Sequence, residues 1–425
     1  MLELPDGKVT GTERIAGCRG RPSRSKTLSE VEVRRRNLKA ANKTSALNVK
    51  ELLRYCRAEL PSFMPFLERM VNMESPTNSK QHVDALARFL AQEFRRAGGR
   101  VRLLDHPEAG AAVLAEFWGE KRGAKPLLLL GHHDTVWEAG TLARMPYRVR
   151  GGKAYGPGIL DMKAGIGVGL WAIRTLKALE VEPRGPVRFF LNSDEEVSSR
   201  AFRRQMEAEA RRARAVLVLE PAARGGALKT SRKGVGEFQI TVHGRSSHAG
   251  INPGAGVNAI AELARQLVRI EKFACPGRGL TLTVGLIQGG TRSNVVPERA
   301  WAAVDVRIPQ ARDRARIERQ FYGLKPFHPE ARLEVTGGIN RPPMMRAMAA
   351  GLFRRAQALG RELGMELQEA STGGGSDGNF TAALGIPTLD GLGAVGDGAH
   401  ALHEHVIVRE LPRRTALLAA LLASL

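Results

Sequence analysis

Cysteine is scarce in this chain: Cys18, Cys56 and Cys275 are scattered over 425 residues with no Cys-x-x-Cys spacing. That argues against a disulfide framework and a thiolate metal cluster, and it fits a reducing compartment. Aromatic side chains are few, with 4 Trp and 4 Tyr, and they do not interleave with basic residues as a base-stacking surface requires. No apolar run approaches a membrane span, and the N-terminus has no hydrophobic h-region. The expectation is a cytoplasmic protein without a membrane partner, with nucleic acid disfavoured. Acidic residues are the minority charge, 43 Asp and Glu against 65 Lys and Arg, for a net charge of +22. Such a field steers anions, so acidic substrates stay in view. The non-enzyme reading is a basic polyanion-binding protein without turnover.

Hydrophobic residues at 43% and charged residues at 25% are an ordinary globular balance. The length exceeds what one hydrophobic core organises, so two domains are expected. Residues 1–48 contain Arg34-Arg35-Arg36 and no clear apolar periodicity, and read as a disordered basic leader. From Val49 the pattern becomes regular. Helices are expected over Glu51–Val71, His82–Ala97, Ala164–Leu179 and Ser199–Ala213. Short apolar strands fall between them, at Val101–Leu104, Ala112–Phe117, Leu127–Leu130, Val187–Leu191 and Val216–Leu219. This is α/β patterning: an open mixed sheet flanked by helices, assigned to 49–232 and 341–425. Over 233–340 the order is strand, helix, strand, strand, helix, strand, with the last strand at Arg332–Thr336. It suggests an inserted ferredoxin-like α+β unit.

Polar residues cluster where apolar strands end, the place at which open α/β sheets bind ligands. Gly131-His132-His133-Asp134 follows Leu127–Leu130, and alternation lets His132 and Asp134 point the same way. A His-x-Asp pair alone is commonly a local hydrogen bond, although a carboxylate behind an imidazole also orients a metal ligand. Asp161, in Gly158-Ile159-Leu160-Asp161, precedes a helix and could simply cap it. Asp194-Glu195-Glu196 follows Val187–Leu191, and Glu220 ends Val216–Leu219. Buried acids there need solvent, a partner or a metal. Gly396-Asp397-Gly398-Ala399-His400 opens a loop holding three histidines, of which one is expected as a ligand and His403 and His405 as surface residues. Five such sites presenting His, Asp, Glu, Glu and His suit zinc, with cobalt or manganese as substitutes.

In order and context these motifs resemble the co-catalytic zinc exopeptidase and amidohydrolase family of glutamate carboxypeptidase, aminoacylase and succinyl-diaminopimelate desuccinylase. The resemblance runs from about Leu60 to the C-terminus. It implies two zinc ions per subunit, with His132 and Glu220 on one, Glu196 and His400 on the other, and Asp161 between them, followed by a cis peptide. It implies that Asp134 orients His132 and that Glu195 is the general base, taking a proton from water and passing it to the leaving amine. The unit at 233–340 becomes a lid and dimerisation domain, so a homodimer is expected. Within it, Ser247-His248-Ala249-Gly250 matches a histidine that polarises the scissile carbonyl, often across subunits. Asn294 and Arg307 match positions that hold substrate, and Gly374 belongs to a substrate-facing loop, Gly373-Gly374-Gly375.

The stretch from Gly373 to His400 looks closest to the glutamate carboxypeptidase branch. The implied activity is a metallopeptidase acting on a small substrate, releasing C-terminal glutamate from peptides or folate-like conjugates. Aminoacylase-like deacylation of N-acyl amino acids is the alternative. Two departures stand out. His133 occupies a position that is commonly small or apolar and is a candidate competing ligand, and Ala222–Lys233 does not align cleanly with that branch.

Overall fold

The computed structural model describes residues 47–121 and 123–425. The leader expected over 1–48 lies outside the described residues except for Leu47 and Asn48, and so does Cys18. Three helices open the described chain: α1 (Val49–Ala58), α2 (Leu60–Asn72) and α3 (Lys80–Arg96). Asn48 caps α1 by accepting the Glu51 amide at 3.2 Å. Periodicity alone suggests one helix over Glu51–Val71. The chain makes two, and Pro61 sits in the first turn of the second, where its missing amide N–H leaves no helical bond unmade.

Strands β1 (Arg100–Leu104), β2 (Ala112–Phe117) and β3 (Leu127–His132) follow, then a hairpin of β4 (Arg148–Arg150) and β5 (Lys153–Tyr155). Next come α4 (Ala164–Ala178), β6 (Val187–Asn192), α5 (Arg203–Arg212), β7 (Ala215–Val218) and β8 (Leu228–Arg232). Helix α5 starts later than its sequence pattern because Ser198 and Ser199 turn the chain with φ of 80° and 54°. A second group of elements then intervenes: β9 (Gly234–His243), β10 (Ser247–His248), α6 (Ala259–Glu271), β11 (Thr281–Gly289), β12 (Val295–Val296), β13 (Arg299–Ile308), α7 (Ala311–Tyr322) and β14 (Arg332–Arg341). The chain closes with α8 (Arg346–Glu362), β15 (Glu369–Thr372), α9 (Gly378–Ala383), β16 (Thr388–Leu389), β17 (Gly396–Asp397), β18 (His405–Ile407) and α10 (Leu411–Ser424).

The main sheet has the order β1-β2-β6-β3-β7-β16. Its β1 and β2 are antiparallel, while β6, β3, β7 and β16 run parallel. Alternate residues face opposite layers, as the two-residue period of a strand dictates. Leu127, Leu129, Phe189 and Leu217 pack into one core with α1, α2, α4, α8 and α10; Leu128, Leu130, Phe190 and Val216 pack with α5 and α9. Both faces being covered explains why these strands read as continuous apolar runs.

The second sheet has the order β11-β13-β9-β14, antiparallel throughout, the strand order of a ferredoxin-like unit. It has its own core, in which Phe238, Ile240 and Val304 meet Leu263 of α6 and Ile317 and Phe321 of α7. Strand β14 runs on to Arg341, past Thr336. Gly337 and Gly338 stay in the strand at φ of 103° and 150°, and a Cβ on Gly337 would stand 2.1 Å from the Glu237 carbonyl oxygen. Strand β11 is an edge, with Leu286 61% and Ile287 62% exposed. No helix among the described residues is long and apolar enough to cross a membrane.

Candidate metal centre

The parallel strands β6, β3 and β7 end along one edge of the main sheet. His132 is the last residue of β3, Glu195 and Glu196 follow β6, and Glu220 stands two residues beyond β7. Asp161 comes from the turn ahead of α4, where the Asp161–Met162 peptide bond is cis. His400 comes from the loop after β17.

Asp161 stands between the two imidazoles. Its Oδ1 is 3.2 Å from His132 Nε2, and its Oδ2 is 3.4 Å from His400 Nε2. Each nitrogen has a second carboxylate: Glu220 Oε1 lies 3.5 Å from His132, and Glu196 Oε1 lies 3.6 Å from His400. Ligand atoms of His132, Asp161 and Glu196 fall within 4.8 Å of one another, and so do those of His132, Glu195 and Glu220. The geometry is two nitrogen–carboxylate sets sharing one aspartate.

The electrostatics fit cations. Burial works against a charged His132, yet Asp134, Asp161 and Glu220 outweigh it and hold its pKa well above the ordinary value. The neighbouring carboxylates of Asp161 and Glu196 push His400 up to about 10. Burial pushes the carboxyls of Glu195 and Glu196 up. Glu196 Oε1 is buried without a hydrogen-bond partner, a costly state that a bound cation would relieve. His132, Asp161, Glu196, Glu220 and His400 therefore fit a pair of divalent ions.

Asp134 backs this arrangement. His132 Nδ1 lies 3.0 Å from the Asp134 carbonyl oxygen and 3.4 Å from its Oδ1. The Asp134 carboxylate also accepts the Thr77 hydroxyl at 2.8 Å and the amides of Glu195 and Glu196 at 3.3 and 3.2 Å. His133 does not join the ligands. It is fully buried, neither ring nitrogen has a hydrogen-bond partner among the described residues, and burial pushes its pKa down to about 4. His405 is buried against Tyr155, at 5.3 Å between ring centroids, and is not a surface residue; His403 is exposed.

Several supports escape a sequence reading. Glu404 is fully buried and accepts the amides of Gly158, Leu160 and Asp161 at 2.8–3.0 Å, and the Trp137 indole at 2.8 Å. An acid between two histidines was its one available signal. Arg232 spans Asp390 at 2.6 Å, Glu220 at 3.2 Å and the carbonyls of Gly374 and Gly375 at 3.1 and 3.0 Å. Arg341 reaches Glu195 Oε1 at 2.9 Å. Lys229 lies in the field of Glu220, Asp390 and Asp161, though burial and Arg232 lower its pKa.

The second sheet contributes unevenly. Arg307 is held by Asp305 through two contacts of 2.8 Å and reaches the Gly373 carbonyl at 3.4 Å, next to Gly374. His248 and Asn294 are exposed, and neither makes a hydrogen bond or ion pair to the metal-ligand cluster among the described residues. They are joined to each other locally, by the Ala249 amide on the Asn294 carbonyl at 3.0 Å.

The model of peptidase family M20/M25/M40 matches residues 128–424. Carboxypeptidase G2 from Pseudomonas sp. (strain RS-16) is 33% identical over 378 residues, 86% of this chain and 90% of that protein. Among solved structures, aminopeptidase PepT from Bacillus cereus superposes with a TM-score of 0.69 at 20% identity, covering 86% of this chain and 98% of the other. A dinuclear metal binding peptidase from Bacillus subtilis gives 0.61 at 17% identity, with 86% and 98% covered.

Proposed function

Because the chain belongs to peptidase family M20/M25/M40, we propose that it is a two-zinc carboxypeptidase that releases glutamate from the carboxyl end of peptides or folate-like conjugates. The observation that carries the metal pair is Asp161, with one oxygen toward each imidazole at 3.2 and 3.4 Å. Oxygen and nitrogen donors without thiolate suit zinc, with cobalt or manganese as substitutes. His132 and Glu220 would hold one ion, His400 and Glu196 the other. When bound, the pair supplies Lewis acidity, which polarises a carbonyl and acidifies water.

The remaining roles belong to the chain. Glu195, beside the ligands His132 and Glu220, accepts a proton from the attacking water and hands it to the leaving amine. Asp134 fixes His132 and the Glu195–Glu196 backbone. Arg307, beside the Gly373–Gly375 loop, supplies the charge that a substrate carboxylate requires. The 33% identity with carboxypeptidase G2 supports that side of the reading.

His248 completes the site of a partner in a homodimer. Its Nδ1 accepts the amides of Gly250 and Ile251 at 3.1 Å each, which leaves the proton on Nε2, the donor that a developing oxyanion needs. The exposed edge β11 and Val268 on α6, 59% exposed, supply an apolar surface for such a dimer.

The test is a panel of peptides ending in glutamate, a folate conjugate and N-acetyl amino acids, assayed as purified, after chelation and after zinc is restored. Zinc-restored release of glutamate is expected. Preference for N-acetyl amino acids would replace the substrate with that of an aminoacylase, and failure of all three would overturn the reading.

A further inference from the structure

Glu195 does not hold itself in place. It sits in a tight turn, Glu195–Val197, just after β6, and among the described residues no main-sheet side chain hydrogen-bonds its carboxylate. The grip comes from Arg341, the last residue of β14 in the second sheet. Its Nη2 lies 2.9 Å from Glu195 Oε1 and 2.8 Å from the Glu195 carbonyl oxygen. The same nitrogen reaches Ser199 Oγ at 3.1 Å and Asp377 Oδ1 at 3.4 Å. Its guanidinium lies over the Phe380 ring at 5.5 Å, and only 8% of the residue is exposed. The neighbouring Asn340 donates to the Ser198 carbonyl at 3.2 Å, so the end of β14 holds both ends of the turn.

Two features make this more than packing. Strand β14 shifts register between Ile339 and Arg341 against β9, which re-aims the last side chain. The contact is also made to the carboxylate and the backbone of one residue together, which fixes the rotamer as well as the charge. One oxygen of Glu195 is thereby tied, and Oε2 is left to take a proton.

We propose that Arg341 is a positioning residue for Glu195, holding one carboxylate oxygen so that the other faces the attacking water. The proposal rests on the reading of Glu195 as the general base. It also makes the second sheet a supplier of base geometry in its own active site, independent of any partner subunit.

The experiment is a double-mutant cycle in the full-length, metal-loaded enzyme, using Arg341→Ala, Glu195→Ala and the pair. Glu195→Ala is measured first; turnover surviving there would overturn the base reading before Arg341 is touched. For Arg341→Ala, kcat is expected to fall by about 100-fold while KM moves by less than about threefold and metal content is unchanged. In the Glu195→Ala background the same substitution should cost nothing more. Guanidinium ion added to Arg341→Ala should recover roughly tenfold in kcat, and should do nothing for the double variant. Equal losses in both backgrounds, or a loss carried by KM, would show that Arg341 does not act through Glu195. Should Arg341→Ala fail to fold, Arg341→Lys decides: it keeps the charge but not the planar fork. Wild-type kcat in Arg341→Lys would overturn the proposal, and a drop of about tenfold with normal metal content would sustain it.

Discussion

His133 is a neutral imidazole enclosed beside charged neighbours. Its folded pKa of about 4 lies below the ordinary 6.5, and burial is the largest cause. As pH falls from 6.5, the unfolded chain takes up a proton there and the folded chain does not. Stability should therefore drop with acid between pH 6.5 and about 4, by up to ~1.4 kcal/mol per pH unit from this residue. Denaturant titrations of wild type and His133→Leu across that window should differ in slope by about one proton. Parallel slopes would mean that His133 is protonated in the folded state. Glu404 gives a second residue-level expectation. Its carboxylate gathers three backbone amides of the turn that presents Asp161. Removing it in Glu404→Ala should weaken metal affinity by about 10–100-fold, as loss of a group behind a ligand does. A metal titration reads this directly, and unchanged affinity would confine Glu404 to folding.

At the scale of elements, the centre depends on how closely helix α4 meets the end of β7. A Cβ on Gly165 would stand 2.1 Å from the Leu219 carbonyl oxygen, one residue ahead of Glu220. Gly165→Ala should cost about 1–3 kcal/mol through overpacking and shift Glu220 with it. Thermal unfolding together with zinc content checks both effects; a normal melting temperature would show that the helix can retreat without cost. The strands that carry His132, Glu196 and Glu220 were legible in sequence, because each is an apolar run closed by an acid or a histidine. The ferredoxin-like order over 233–340 was legible too, from alternation and two amphipathic helices. What escaped was whatever lacks a local signal. Helix α1 and α2 separate at a single proline, the end of β14 hides behind two glycines, and β8 and β15 pair residues 140 or 141 apart with no turn to announce them. Arg232 and Arg341 were invisible for the same reason, and Glu404 had only its place between two histidines. A lone arginine or glutamate reads as solvated surface until the fold closes over it and supplies its partners.

For the whole molecule, the separation of His248 from the metal-ligand cluster makes the oligomer a functional question. If His248 serves a partner's site, a mixture of His248→Ala and Glu195→Ala subunits should regain activity after exchange. Hybrid dimers then contain one site with both groups intact, so up to about a quarter of wild-type activity is expected for random pairing. No recovery after exchange is verified by mass would confine His248 to its own subunit or to no catalytic role. The net charge of +22 bears on approach and not on chemistry. It should raise kcat/KM for anionic substrates at low salt and leave kcat alone.

The points at which the chain enters and leaves the second sheet's portion, just after β8 and just before α8, are neighbours. Arg232 and Met344 bridge them with a reciprocal pair of backbone hydrogen bonds, 3.1 and 3.0 Å long. A stretch of more than a hundred residues thus starts and ends at one joint, with its own core beyond it. Such a joint lets a gene acquire, exchange or remodel the appended portion without re-threading the sheet that carries the ligands. Specificity can then diversify in the appended portion while the ligand-bearing sheet is inherited unchanged, so long as its contact from Arg341 to Glu195 is kept.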